Sequence, residues 1–164
     1  MVEMKVFGLA LDEESQVPVL VLKDKDEKSV LPIWIGAMEA MAISLALNGV
    51  KLPRPMTHDL LLMAIKALNA KVLAVNVVSL RDGTYFAEVE VEQAGVRKRI
   101  DCRPSDGIAL ALRAEAPIGV DENVLRQAEA EKKPEHTAVL HTDDAEKWTD
   151  LLQKLNVEDD KYKM

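Results

Sequence analysis

The fold is decided by residues 85–113, which read YFAEVEVEQAGVRKRIDCRPSDGIALALR. Apolar and polar residues alternate from Tyr85 to Gln93, a pattern that predicts a strand with one buried face. Ala94-Gly95 then predicts a turn, and VRKRIDC predicts a second strand whose inward positions are Val96, Lys98, Ile100 and Cys102. A helix from about Pro104 to Glu115 follows, because proline suits the first helical position. The stretch therefore predicts two antiparallel strands that lead into a helix.

The upstream sequence predicts the same pattern. Three β-rich stretches lie at residues 2–11, 17–24 and 30–36, and an apolar helix is predicted from Ala37 to Leu47. KVLAVNVVSL and the Asp-Gly hairpin signal complete a second group of three strands before the helix at Pro104. We therefore predict an α+β fold with two antiparallel three-strand meanders, each followed by a helix. IGAMEAMAISLAL from Ile35 aligns with IDCRPSDGIALAL from Ile100, so we interpret the pattern as a β-β-β-α duplication.

Two further helices are predicted, one within the main domain and one in a C-terminal extension. Thr57 is the expected N-cap of a helix from His58 to Asn69, whose apolar stripe would contain Leu61, Ile65 and Leu68. A C-terminal helix from about Asp144 to Leu155 is expected to carry Trp148 on its apolar face. We predict an α+β domain over residues 1–133 and a C-terminal strand and helix extension over residues 134–164.

Composition limits the classes of function. The 164 residues carry a net charge of −7, which makes nucleic-acid binding by bulk electrostatics less favourable and requires a local basic patch or a bridging metal. The chain has one cysteine, which excludes an internal disulfide, and its apolar runs are too short to cross a bilayer. We therefore expect a cytoplasmic protein with no membrane partner. The sequence also lacks a glycine-rich phosphate loop, and we expect no organic cofactor.

The basic run at residues 97–99 has a structural interpretation. If Gln93 pairs with Val96 across the turn, Glu92 faces Arg97 and Glu90 faces Arg99 on the neighbouring strand. Such opposed charges contribute about 0.2–1 kcal/mol each and would neutralise the run. This register argues against a free polyanion-binding patch on these strands.

The residues that follow are harder to explain by capping alone. Asp101, Arg103, Ser105 and Asp106 cluster at a strand end and a helix start, where backbone N–H groups favour an anion. Arg103 could hold a phosphate through two hydrogen bonds, and Asp101 and Asp106 could ligate a divalent cation. Capping and the helix dipole explain Ser105 or Asp106 separately, and they leave Arg103 and Asp101 unexplained.

A second helix start offers similar chemistry. RPMTHDLL supplies Arg54, His58 and Asp59, and His58 is a candidate general acid or base. Glu39, in the first turn of the helix after WIG, is a further candidate metal ligand, although an acid there also suits the helix dipole.

Four ordered motifs resemble one known family. They are LPIWIGAMEAMAI, RPMTHDLL, LRDGTYFAEV and DCRPSDGIALALR. In that order they resemble the bifunctional nuclease domain family of bacteria and plants, over about Met1 to Val124. Members are described as cleaving DNA and RNA, so the resemblance implies a nuclease. The chain departs from the expected RPSDAIALA by placing glycine at position 107.

Two classes of function remain open at this stage. In the nuclease hypothesis, Arg54, Arg103, Ser105 and Arg113 hold the phosphodiester, and His58, Asp59, Asp101 and Asp106 are catalytic. Mg²⁺ or Mn²⁺ would be held by Glu39, Asp59, Asp101 and Asp106. The alternative is a non-catalytic dimeric module that binds a small ligand or a protein, which the acidic charge and the paired Glu and Arg strands favour. Homodimerisation is expected in both cases.

Overall fold

The computed structural model describes residues 1–130 and 137–140. It contains strands β1 (Val2–Asp12), β2 (Pro18–Asp24), β3 (Val30–Trp34), β4 (Ala70–Arg81), β5 (Thr84–Gln93), β6 (Val96–Cys102), β7 (Ile118–Val120) and β8 (Thr137–Leu140). The helices are α1 (Ala37–Leu47), α2 (Thr57–Ala67), α3 (Pro104–Ala114) and α4 (Glu122–Ala130). The predicted helix at residues 144–155 lies outside the described residues.

One mixed sheet organises the chain, and its strands lie in the order β3-β2-β1-β7-β4-β5-β6. The predicted meanders are present, since β1 pairs with β2 and β2 with β3, while β4 pairs with β5 and β5 with β6. β7 joins the two meanders, antiparallel to β1 and parallel to β4. β8 pairs with β1 beyond β7, along Leu9–Asp12. The α+β class is confirmed, and the duplication stays a prediction that superposition of the two units would test.

α3 is the helix against which α1 and α2 pack. It packs against β4 and β5 on the sheet and against α1 and α2 beside it. Its residues Ile108, Ala109, Leu110 and Ala111 are buried in the main core together with Val75 and Val77 of β4. Burial of these apolar side chains holds α3 on the sheet. The starts of α1 and α2 are thereby brought to α3.

The register of β5 and β6 is as predicted, but the burial of β6 is not. Gln93 pairs with Val96, Glu92 with Arg97 and Glu90 with Arg99. Arg97 forms ion pairs with Glu90 and Glu92 at 3.4 and 3.7 Å, which confirms the structural interpretation of its charge. Val96 and Ile100, expected to be inward, are exposed because β6 is an edge strand of the sheet.

The start of α2 differs from the prediction by one residue. Met56 is the N-cap, and Thr57 is the first helical residue. The reason is the Asp59 carboxylate, whose Oδ2 accepts a hydrogen bond of 2.9 Å from the Met56 N–H and so satisfies the helix start without a Thr57 hydroxyl. The predicted apolar stripe is confirmed at Ile65, which packs against the core, and is wrong at Leu61 and Leu68, which are exposed, while Leu62 is the buried residue.

Gly107 lies where α3 packs closely against β4. A Cβ at this position would lie 2.8 Å from Val75 Cγ1 and 3.0 Å from Cys102 Sγ. Both distances are shorter than ordinary van der Waals contact. Glycine at 107 therefore allows the close packing of α3, although glycine weakens a helix relative to alanine.

We expect Gly107→Ala to destabilise the protein by about 1 kcal/mol, because overpacking costs roughly 1–3 kcal/mol and the helix gains only roughly 0.5–1 kcal/mol from alanine. Urea unfolding monitored by circular dichroism measures the difference. The matched control is the same substitution in a Val75→Ala protein, which removes the closer of the two contacts and should reduce the loss. An unfolding midpoint that rises in the single variant would contradict this packing argument.

Candidate functional site

Four side chains from the starts of α1, α2 and α3 meet in a continuous chain of ion pairs and hydrogen bonds, which we call the helix-start cluster: Glu39, His58, Arg103 and Asp106. Arg103 Nε donates to Asp106 Oδ2 at 2.7 Å, and its NH1 group lies 2.9 Å from Glu39 Oε1. His58 Nε2 lies 3.1 Å from Asp106 Oδ1. The two helix starts singled out in the sequence are therefore neighbours in the fold.

The local structure fixes each member of the cluster. Arg103 is the N-cap of α3 and Asp106 lies in its first turn, so the i,i+3 spacing brings the pair together. Glu39 lies in the first turn of α1, and its carboxylate fills the space that a Cβ on Gly36 would occupy. His58 follows the first residue of α2 and is only 13% exposed. These positions depend on the three helix starts converging.

Asp106 is held in its ionised form. Burial, the largest single influence, raises its pKa, but the hydrogen bonds and charges of Arg103 and His58 together bring the pKa below its ordinary value of 3.8. An ionised carboxylate can only accept hydrogen bonds, so the proton between Asp106 and His58 lies on Nε2. In neutral imidazole this leaves Nδ1 free of a proton and able to accept one.

Arg103 retains hydrogen-bonding capacity. Asp106, through its hydrogen bond and then its charge, and Glu39 raise the pKa of the guanidinium, so Arg103 is a permanent cation. A guanidinium has five N–H donors, and the contacts with Asp106 and Glu39 use Nε and NH1. Arg103 makes no other hydrogen bond or ion pair in the part of the chain that the structure describes, which leaves its NH2 group and second NH1 hydrogen for a ligand. Arg103 is 66% exposed, so an anion from solvent can reach it.

Asp59 and Arg113 form a separate pair. Arg113 Nε donates to Asp59 Oδ1 at 2.6 Å, and its NH1 donates to the Ala109 carbonyl at 2.9 Å. Arg113 is only 10% exposed. Its predicted phosphate-binding role stays untested, but these contacts describe a residue that fastens α2 to α3.

Asp101 and Arg54 make no hydrogen bond or ion pair with the helix-start cluster in the described part of the chain. Cys102 faces α3, because its sulfur approaches Gly107, and alternation along β6 points the Asp101 side chain to the opposite face of the sheet. Asp101 there pairs in register with Glu88. Arg54 is exposed in the loop 48–56 and has no ion pair within the described residues. Their predicted roles stay predictions.

The carboxylates do not fit a divalent cation as they stand. Across residues 1–130 and 137–140, no group of three or more His, Cys, Asp and Glu side chains could hold a metal ion. Asp59 and Asp106 each use both oxygens on protein partners. The predicted metal therefore stays a prediction, and the arrangement around Arg103 suits an anion better.

An open pocket adjoins Arg103, and we call it the Trp34 pocket. Its volume is about 390 Å³, within the roughly 300–1,000 Å³ of small-molecule sites. Ser105, buried at the start of α3, lines it as well. Sequence reasoning missed the wall formed by Trp34, Gly36, Thr84 and Tyr85, although WIG and GTY lie within the motifs noted above.

Removing the carboxylate of Asp59 is expected to lower stability. The hydrogen bond from the Met56 N–H, then the contact with Arg113, lowers the pKa of Asp59 below 3.8. Because that pKa is depressed, the stabilisation is present above pH 3.8 and is lost as the pH falls through the depressed value. Asp59 is 38% exposed, so we expect a discounted loss of about 1–2 kcal/mol in Asp59→Asn at neutral pH.

Urea unfolding at neutral pH and at pH 3 measures this contribution, and the gap between Asp59→Asn and the parent should narrow in acid. Asp82→Asn, at the exposed β4–β5 turn, is the matched control for the chemical change. A gap that widens in acid would contradict the assignment.

Comparison with known proteins places the chain among relatives. The sequence profile of the bifunctional nuclease domain matches residues 20–133. An uncharacterised protein of Mycobacterium tuberculosis is 38% identical over 161 residues, which span 96% of each chain. Bifunctional nuclease 1 of Arabidopsis thaliana is 28% identical over 70% of this chain and 37% of its own length. Bifunctional nuclease 2 of Oryza sativa is 26% identical over 71% of this chain and 37% of its own length.

Proposed function

Since this chain belongs to the bifunctional nuclease domain family, we propose that it hydrolyses phosphodiester bonds in DNA and RNA at the helix-start cluster. The names of the plant relatives support the activity, although the aligned region is about a third of their length. The observation that carries the location is the contact between His58 and Asp106, which are 48 residues apart in sequence and are joined through Asp106 to Arg103.

The cluster supplies two elements of hydrolysis. The free N–H groups of Arg103 would hold the phosphate and stabilise the negative charge that develops on it in the transition state. His58, oriented by Asp106, would accept a proton from the attacking water on Nδ1. The water oxygen then bonds to phosphorus, the bond from phosphorus to the leaving sugar oxygen breaks, and that oxygen takes a proton from solvent.

No step is assigned to a metal ion, because the carboxylates present are already paired. The divalent cation predicted from the sequence stays a proposal with a direct test. Cleavage that survives removal of divalent cations with EDTA would fit the Arg103 and His58 chemistry alone. Cleavage that requires added Mg²⁺ or Mn²⁺ would mean that the substrate phosphate contributes ligands.

The activity is tested by cleavage of supercoiled plasmid and of an RNA transcript by purified full-length chain. A His58→Gln protein purified in parallel controls for contaminating nucleases, because contamination would be equal in both preparations. Cleavage by the parent and not by the variant would support the proposal. Repeated preparations without cleavage of either substrate, with and without divalent cations, would contradict it.

A dimeric binding module is the second candidate, and exposed apolar side chains favour it. Met38, Leu60 and Met63 on α1 and α2 are each more than half exposed. Both helices pack against α3, and large exposed apolar side chains often mark a protein contact. We assign the contact to a second copy of this chain, whose presence is compatible with either function.

Light scattering coupled to size-exclusion chromatography measures the oligomeric state. A dimer that dissociates in Leu60→Glu, with Lys66→Glu on the same helix as the control, would support this surface as the interface. A monomeric parent chain would contradict it.

None of the helices in the described part of the chain is both long and apolar enough to cross a membrane. The cytoplasmic location inferred from the sequence stays a proposal, for which fractionation of the source cells is the test.

A further inference from the structure

The Trp34 pocket combines an aromatic ring with a nearby cation. Trp34 ends β3 and is 50% exposed, and Arg103 lies at the start of α3 on the wall of the same pocket. Gly83, Thr84 and Tyr85 of the β4–β5 turn and the start of β5 form another part of the wall. An exposed indole beside a guanidinium with free donors is suited to a ligand that has a flat ring and an anionic group.

The polar edge of Trp34 is already occupied. Its Nε1–H donates to Asp12 Oδ2 at 3.1 Å. This hydrogen bond is the largest cause that lowers the pKa of Asp12, followed by a bond from Ser15, so the acceptor stays ionised at neutral pH. Because the N–H is satisfied, what remains for a ligand is the apolar ring surface. Stacking is therefore the interaction that Trp34 can offer.

The charges around the pocket do not support a long track for a phosphate backbone. The chain carries a net charge of −7, and Arg97 and Arg99 on β6 are paired with glutamates of β5. Two carboxylates, Glu39 and Asp106, flank Arg103 itself. A nucleic acid would thus gain little from electrostatics away from Arg103, and base stacking has to supply much of the affinity.

We propose that the Trp34 pocket binds one unpaired base of single-stranded nucleic acid, stacked on Trp34, with an adjacent phosphate on Arg103. A base inside a duplex is covered on both faces by its neighbours, so it cannot stack on a protein ring unless it is extruded. The inference rests on the proposed function and deepens it, because it names the form of DNA or RNA that the site accepts.

Tryptophan fluorescence provides a readout that does not depend on cleavage. The chain has two tryptophans, so a full-length Trp148→Phe protein reports on Trp34 alone. The probes are a short oligothymidylate, an abasic oligonucleotide of equal length, and a blunt duplex of the same length, each checked on a gel to be intact after the measurement. We expect the oligothymidylate to quench the emission and the other two probes to bind at least tenfold more weakly.

The matched variants separate stacking from charge, with affinity measured by anisotropy of a labelled oligothymidylate. Trp34→Ala should weaken binding by about tenfold or more, the effect of losing one base stack, and Trp34→Phe should lose less. Arg103→Gln should weaken oligothymidylate and abasic probe together. The logarithm of affinity should fall with the logarithm of salt with a slope between about −0.7 and −1.4, as expected for one or two phosphates.

The outcomes of the binding and cleavage assays differ. Equal binding of abasic and thymidylate probes, preferred binding of the duplex, absence of oligothymidylate binding, or an unchanged affinity in Trp34→Ala would each overturn the inference, even if the protein cleaves nucleic acid. Base-dependent binding that is lost in Trp34→Ala, in a protein that does not cleave, would support the pocket and contradict only the nuclease proposal.

Discussion

Replacement of His58 with glutamine is expected to lower the rate of phosphodiester cleavage by about a hundredfold to ten-thousandfold, the contribution of one general base. Glutamine can keep a hydrogen bond to Asp106, whose Oδ1 lies 3.1 Å from His58 Nε2, but it cannot accept the proton of the attacking water. Single-turnover cleavage of a labelled oligonucleotide measures the loss. Urea unfolding of the same preparation shows whether the variant is folded.

Two aspartates provide the comparison that separates catalysis from stability. Asp106→Asn removes the charge that orients His58 and should reduce cleavage and change the shape of the pH–rate profile. Asp59→Asn removes contacts with Met56 and Arg113 and leaves all four members of the helix-start cluster in place, so cleavage per folded molecule should fall much less than in Asp106→Asn. Parent-like cleavage by His58→Gln would exclude this site and leave the family assignment intact.

Replacement of Arg103 with alanine is expected to lower cleavage by about a hundredfold to a thousandfold, as does the loss of one charge-stabilising donor group in other phosphoryl or acyl transfer sites. The variant also leaves Glu39 and Asp106 without their shared cation, so like charges face the substrate phosphate. Both kcat and KM should therefore change. Steady-state kinetics over a range of substrate concentrations measure the two parameters.

Arg103→Lys is the informative comparison for Arg103→Ala. Lysine keeps the charge, but a compact ammonium lacks the planar array of donors that contacts Asp106 and Glu39 while leaving N–H groups for a phosphate. We expect it to recover only part of the activity. Glu39→Gln, which keeps Arg103 and weakens one of its two contacts, should have a several-fold effect at most. A purely structural Arg103 would instead show a loss of stability with unchanged cleavage per folded molecule.

The sequence predicted those parts of the fold that are determined by local patterns. α1 spans Ala37–Leu47 as predicted, because an apolar stretch without proline ends shortly before Gly49, which has a positive φ of 63°. The pairing of Gln93 with Val96 follows from the turn at Ala94-Gly95. In both cases a few adjacent residues determine the local structure, and contacts with the rest of the molecule alter it little.

Parts that depend on distant neighbours were not predictable in this way. Nothing within Val96–Cys102 shows that β6 lies at the sheet edge, which is why its apolar residues are exposed. The N-cap of α2 is Met56 and not the predicted Thr57, because the Asp59 carboxylate accepts a hydrogen bond from the Met56 N–H. A sequence pattern ranks Thr57 above methionine as a cap and does not reveal this alternative partner.

The sequence predicted which residues belong to the candidate site better than it predicted which of them contact one another. Arg103, Asp106, His58 and Glu39 could be named because they stand at helix starts and have suitable chemistry. Their mutual contacts required the packing of α1 and α2 on α3. Trp34 was not recognised, since a single tryptophan at a strand end is no different in sequence from one that packs in the core.

The short strand β7 has a consequence for biosynthesis. Within the described residues it alone is paired with both β1 and β4, and it follows α3 in the chain. As the polypeptide leaves the ribosome, each meander can form hairpins, but β1 and β4 lack the strand that joins them until residues 118–120 emerge, and Leu9–Asp12 of β1 stay unpaired on that side until β8 follows. Open strand edges pair readily with other chains. A nascent or truncated protein that ends before Ile118 should therefore be the form most dependent on chaperones.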